Sequence, residues 1–181
     1  MVLPRSKGQE LGKVIVMNGV SLDGVMQSPG RSDEDTRDGF ELGGWNAPYG
    51  DETIVAKMGE RIGEGHAWLF GRHTYEQLLG YWNAQGGPFK DPLNNIRKYV
   101  ASSNPATKLE WPNSTLLRGD VPAAVADVKQ SSTANLVIMG SGVLIGSLMA
   151  ADLIDEYQDE RSEHEAVPAE HLPARRTYTS P

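Results

Sequence analysis

One stretch limits the fold more than any other: Ala67-Trp68-Leu69-Phe70-Gly71-Arg72-His73-Thr74-Tyr75-Glu76-Gln77, in which four apolar residues run through Gly-Arg directly into a helical pattern. An unbroken apolar run of this length fits a strand covered on both faces. Thr74 and Gln77 have the spacing of a capping box, which predicts a helix opening at Thr74 and running to Tyr81. A helix N-terminus concentrates free N–H groups and the positive end of the peptide dipoles, and the planar Arg72 guanidinium matches phosphate. The junction therefore reads as a phosphate cradle, or else as a strand-to-helix turn with a solvated arginine.

Similar junctions recur. Val14-Ile15-Val16-Met17 is an apolar run that ends in Asn-Gly, and Arg97 to Ala101 reads as a strand that stops at Ser102-Ser103-Asn104-Pro105. Thr115-Leu116-Leu117 is a short strand, followed by a helix from Val121 to Gln130 with proline in its first turn. Asn135 to Met139 is another buried strand, and Gly140-Ser141-Gly142 leads into a helical stretch from Val143 to Ala150. Asp51 to Ile62 reads as a helix with Asp51 and Glu52 in its first turn, whereas Trp82 to Pro92 reads as a loop. Strands alternating with helices indicate an α/β domain with a mainly parallel sheet, covered on both faces. Ligands of such folds bind beyond the carboxyl ends of strands, so three junctions qualify: Gly71-Arg72, Ser102-Ser103 and Gly140-Ser141-Gly142. Residues 1–12 read as a loose arm. The loop from Gln27 to Gly50 carries Phe40, Trp45 and Tyr49, which suits either a ligand cover or a satellite cluster packed under the loop.

A net charge of -7 argues against a nucleic-acid backbone as partner. With no cysteine there is no disulfide, thiolate zinc site or cysteine nucleophile, which is compatible with a reducing cytoplasm. Met1 to Gly12 lacks the apolar centre of a signal peptide, and no apolar run reaches membrane-spanning length, so a soluble, cytoplasmic chain is expected. His66 and His73 flank one strand, while His164 and His171 fall in a polar tail, so no metal site is expected. Gly140-x-Gly142-x-x-x-Gly146 cannot open a Rossmann domain, because too little chain follows it. Met139-Gly140-Ser141-Gly142 also departs from Gly-x-Ser-x-Gly, which removes Ser141 as a nucleophile.

These pieces occur in a telling order from Lys13 to about Tyr157. They are the first strand with Val20-Ser21-Leu22-Asp23-Gly24, the Gly44-Trp45 loop, Phe70-Gly71-Arg72-His73-Thr74-Tyr75, Ser102-Ser103-Asn104-Pro105, and Ile138-Met139-Gly140-Ser141-Gly142 before Asp152-Leu153-Ile154-Asp155-Glu156. In this the chain resembles the dihydrofolate reductase-like family, in the branch of the riboflavin-biosynthesis reductase, the C-terminal domain of a bifunctional deaminase-reductase. The resemblance implies a three-layer α/β/α fold with a mainly parallel central sheet. It also implies an NADPH-dependent oxidoreductase acting on a pteridine- or ribosylaminopyrimidine-type substrate, with a homodimer as a further expectation. On this resemblance Gly71, Arg72 and Thr74 hold cofactor phosphates, Ser102 and Ser103 meet the 2′-phosphate, and Gly140, Ser141, Gly142 and Val143 wrap the pyrophosphate and nicotinamide end. Asp23, Asp51 and Glu52 are the candidates for binding the substrate ring or relaying its proton, although a turn role explains Asp23 and helix capping explains the other two. The zinc deaminase half is expected to be absent, since its signature needs cysteines. Family members close their sheet with a further strand pair. Asp159 to Pro181 has no apolar run, so the domain is expected to span 13–157 without that pair, with 158–181 a disordered tail and the reading frame lost near Gln158. The alternative function is nucleotide binding without turnover.

Overall fold

In the computed structural model, which describes residues 11–21, 23–49 and 65–161, each of the five apolar runs read as strands forms one. The strands are β1 (Val14–Val20), β2 (Ala67–Gly71), β3 (Lys98–Ala101), β4 (Ser114–Leu117), β5 (Leu136–Met139) and β6 (Glu156–Arg161). Among the described residues, four α-helices lie between them: α1 (Arg72–Gln85), α2 (Lys90–Asn95), α3 (Val121–Ser131) and α4 (Gly142–Ala150). The sheet order is β4-β3-β2-β5-β1-β6, and β4 with β3, β3 with β2, β2 with β5 and β5 with β1 are all parallel pairs.

Contacts divide the chain into two units, residues 1–18 with 53–158 and residues 19–52 with 159–181. In the first, side chains alternate across the sheet with the period of two that a pleated strand imposes. Ile15, Met17, Trp68, Phe70, Val100 and Val137 form one buried cluster with Tyr75 and Leu79 of α1, Leu93 of α2 and Phe89. Val14, Val16, Leu69, Leu136 and Ile138 are the alternate, equally buried set. The chain passes from β2 to β3 through α1 and returns from β4 to β5 through α3. Two right-handed crossovers running in opposite directions put those helices on opposite faces. Asp120 caps α3, its Oδ1 accepting the Ala123 N–H at 3.1 Å.

Three local expectations are corrected. Helix α1 opens at Arg72, with the extended Gly71 (φ -72°, ψ 152°) as its N-cap, and runs on to Gln85. Thr74 therefore sits inside the first turn, and no capping box forms. The segment read as a loop from Trp82 to Pro92 holds the end of α1 and the start of α2. Gly86 stops α1 with a positive φ (φ 74°, ψ -152°) that glycine adopts readily, and Pro92 is tolerated because it falls in the first turn of α2, where no intrahelical N–H bond is lost. Gly12, placed by its sequence in the arm, is packed: its N–H donates to Ser132 O at 3.3 Å, and an ideal Cβ there would stand 2.1 Å from Ala134 O.

In the second unit the segment from Gln27 folds onto itself. Trp45 Nε1 donates to Gln27 O at 2.8 Å, the Gly44 N–H donates to Ser28 O at 2.7 Å, and Phe40 is buried. Gly43 lies so close to Ser32 that a Cβ would approach Ser32 O to 2.7 Å. The helix expected over Asp51 to Ile62 lies outside the described residues, as does 162–181.

Asp155 ties the edge of the first unit together. Its carboxylate accepts the Val14 N–H at 2.7 Å and Lys129 Nζ at 2.5 Å, joining β1, the end of α3 and the start of β6. Burial alone would raise the Asp155 carboxyl. Hydrogen bonds from Lys129 and Val14, with the charges of Lys129 and Lys13, outweigh it and hold the carboxyl below its ordinary value. A folded-state value below the unfolded one gives stability that is complete above the usual aspartate range and is lost as pH falls through the folded value. Because the side chain is 35% exposed, water screens the pair, and Asp155→Asn is expected to cost about 1 kcal/mol at pH 7. Urea melts of the two proteins should converge below about pH 4. A gap that persists unchanged in acid would remove the charge from the explanation.

Candidate functional site

Parallel strands bring their carboxyl ends to one edge of the sheet, and the register fixes which turns become neighbours. Gly71 pairs with Ala101, so Ser102 leaves β3 directly beside Gly71. Leu69 pairs with Ile138, which brings the end of β5 to the other side of Gly71. Helices α1 and α4 thus begin next to each other, one from Gly71 and one from Ser141.

Ser141 joins the two starts. Its Oγ accepts the Gly71 N–H at 2.8 Å and donates to Thr74 Oγ1 at 2.8 Å. From the far side the Asn18 Oδ1 at β1 accepts the Gly140 N–H at 2.7 Å. Gly140 and Ser141 are both left-handed (φ 65° each). Glycine adopts that conformation freely, but serine does so at a cost of about 1 kcal/mol, which its two hydroxyl bonds offset. Neither α1 nor α4 has a side-chain cap. Because the Ser141 hydroxyl is spent on the crosslink, the first-turn N–H groups of both helices open towards the same edge.

The flanking residues differ in what they offer. Arg72 is half-exposed, and its Nη1 donates to both carboxylate oxygens of Glu76, at 3.1 and 2.8 Å. Ser102 is buried, and its hydroxyl serves its own turn: it accepts the Asn104 N–H at 3.1 Å and shares a hydrogen bond with Thr107 Oγ1 at 2.8 Å. Ser103 beside it is exposed. Val143, in the first turn of α4, is 76% exposed, an unusual position for valine.

Of the residues singled out by sequence, then, Gly71, Arg72, Thr74, Gly140, Ser141, Gly142 and Val143 meet at one edge, with Ser102 and Ser103 on the adjoining strand end. Asp23 belongs to the second unit. There it is exposed and accepts a hydrogen bond from Ser21 Oγ at 2.5 Å, in a turn closed by the Gly24 N–H on Ser21 O at 2.9 Å. Asp51 and Glu52 lie outside the described residues. Among the described residues no group of histidine, aspartate and glutamate is arranged to hold a metal ion, and no helix is long and apolar enough to cross a membrane. Sequence reasoning missed Asn18 and Glu76. The four-residue spacing from Arg72 would have found Glu76; no local pattern marks Asn18.

The sequence profile of the RibD C-terminal domain matches residues 12–158. Among solved structures, the chain is similar to a protein named for riboflavin biosynthesis from Shewanella sp. PV-4, with 22% identity, a TM-score of 0.54 and coverage of 82% of this chain and 76% of that one. It is similar to the dihydrofolate reductase of Enterococcus faecalis complexed with NADP(H), at 16% identity, TM-score 0.53 and coverage of 87% and 76%. The Schistosoma mansoni dihydrofolate reductase matches at 15% identity and TM-score 0.53, over 87% of this chain and 78% of that one. Among curated proteins no sequence matches. At these identities the solved structures establish a shared fold. The domain match, spanning β1 through the start of β6, establishes that the chain belongs to the RibD C-terminal domain family.

Proposed function

We propose that this chain is an NADPH-dependent reductase of a ribosylaminopyrimidine or pteridine, with 5-amino-6-(5-phosphoribosylamino)uracil and dihydrofolate as the substrates to test first. One observation carries the reading: two uncapped helix N-termini, locked side by side through Ser141, form a paired anion site at the carboxyl edge of a parallel sheet. A dinucleotide with two linked phosphates suits such a pair better than a single anion would. The two glycines serve that lock: a Cβ at Gly71 would stand 3.1 Å from Ser141 Oγ, and one at Gly140 would stand 3.4 Å from Thr74 Cγ2, so small residues there let the two helix starts close on each other.

Gly71, Thr74, Gly140, Ser141, Gly142 and Val143 would hold the pyrophosphate and nicotinamide end, and Arg72 with Ser103 would meet a further phosphate. Because the Ser102 hydroxyl already closes its own turn, its part is to shape the loop that presents Ser103. When bound, NADPH supplies the hydride. The chain's task is to orient the substrate ring, exclude water and deliver a proton, and Asp23, Asp51 and Glu52 are the carboxyl groups proposed for that delivery. The working form is proposed to be a cytoplasmic homodimer.

The test is paired. Fluorescence titration should show NADPH binding, and NADPH absorbance should fall when either substrate is added. Binding with no oxidation of NADPH by either substrate would replace the reductase reading with nucleotide binding alone.

A further inference from the structure

Arg72 meets the site with a carboxylate already attached. Both oxygens of Glu76 lean on the single Nη1 atom, while Nε and Nη2 of Arg72 bond to no atom of the described residues. One edge of the guanidinium is therefore taken, and the edge formed by Nε and Nη2 remains available for a phosphate, which needs two parallel N–H donors. Arg72 stands one residue past Gly71, and Ser102-Ser103 stand just past its partner Ala101, so the two leave adjoining strand ends.

From this arrangement, and resting on the NADPH reading above, we infer that Glu76 is a positioning residue that sets how strongly the chain prefers a phosphorylated dinucleotide over its unphosphorylated counterpart. Its two effects oppose each other. Holding Nη1 orders the guanidinium, but an ion pair this exposed contributes little, because water screens it and two flexible side chains are immobilised. The carboxylate also places a negative charge one guanidinium width from any phosphate on the opposite edge, within the Debye length at physiological salt. A phosphate carrying nearly two charges feels that repulsion doubly. Repulsion therefore outweighs ordering, and Glu76 holds down the affinity for the extra phosphate.

Glu76→Gln keeps the shape and helix propensity of the side chain while removing its charge. The variant is expected to bind NADPH about threefold more tightly, to bind NADH unchanged, and to lose NADPH affinity more steeply with added salt. In an Arg72→Gln background the same substitution should have no effect, because the repulsion matters only where Arg72 brings a phosphate close. Unchanged or weaker NADPH binding by Glu76→Gln, an equal gain for NADH, or a gain that persists without Arg72 would each overturn the inference. Failure of the unmodified protein to bind either dinucleotide would overturn the reductase proposal together with it, and that result is read before any variant is made.

Discussion

A Lys98→Met variant is expected to lose about 3 kcal/mol of folding stability at pH 7, with the damage centred on α2. Lys98 opens β3 and is fully buried, and its Nζ donates to Leu93 O at 2.6 Å, Ile96 O at 2.7 Å and Asn94 O at 3.3 Å. All three ammonium hydrogens thus serve carbonyls at the end of α2, which the helix itself cannot satisfy. A helix of six residues has no independent stability, so this cap and the burial of Leu93 are what hold it. Methionine would fill the space but leave Leu93 O and Ile96 O without that donor, at about 1–3 kcal/mol each, while Asn94 O keeps the Asn113 Nδ2 bond at 3.0 Å. Relief of a buried charge offsets part of the loss. Burial lowers Lys98 to about 8 from the ordinary 10.5, so it is still mainly charged at pH 7. The sign of the pH dependence follows. Between about 8 and 10.5 the unfolded chain binds the proton and the folded chain does not, so this group adds stability as pH rises through that window and adds none below it. Denaturant melts of both proteins at neutral and alkaline pH should show the gap widening by up to about 3 kcal/mol. A gap that stays constant would mean that Lys98 keeps its proton throughout.

Lys98 also shows where sequence pattern stops being informative. Arg97-Lys98-Tyr99-Val100-Ala101 was legible as a strand because Tyr99, Val100 and Ala101 suit a pleated, covered surface. Nothing nearby indicates that its lysine turns inward, since the carbonyls it serves belong to a helix concealed between Gly86-Gly87-Pro88 and Asn94-Asn95. The first five strands could be read because each is an apolar run closed by turn residues. Once they were known to be parallel, the meeting of the three turns followed from geometry, as the carboxyl ends of parallel strands share one edge. Bonds between distant residues could not be read. Ser141 reaches Gly71 and Thr74, and Asn18 reaches Gly140, across tertiary space that no local spacing encodes. The capping-box expectation failed for the same reason. Thr74 had the right spacing to Gln77, but Ser141 supplies its partner from the turn after β5, and Gly71 takes the N-cap.

That crosslink has a separable chemistry. Ser141→Ala removes the acceptor from the Gly71 N–H and the donor to Thr74 while keeping a side chain in the left-handed region, so a loss of about 2 kcal/mol is expected. Ser141→Gly makes the same deletion but relieves the backbone, and should recover about 1 kcal/mol of it. In NADPH titrations the two variants should nevertheless fall together, each about tenfold weaker than the unmodified protein. On the proposed reading, binding needs two helix starts fixed before the ligand arrives, and an entropic cost appears once they move independently. Stability and affinity therefore part company: glycine repairs the first and leaves the second broken. If Ser141→Gly bound NADPH as tightly as serine does, the hydroxyl would serve only to hold an unfavourable turn, and the pairing of α1 with α4 would contribute nothing to recognition.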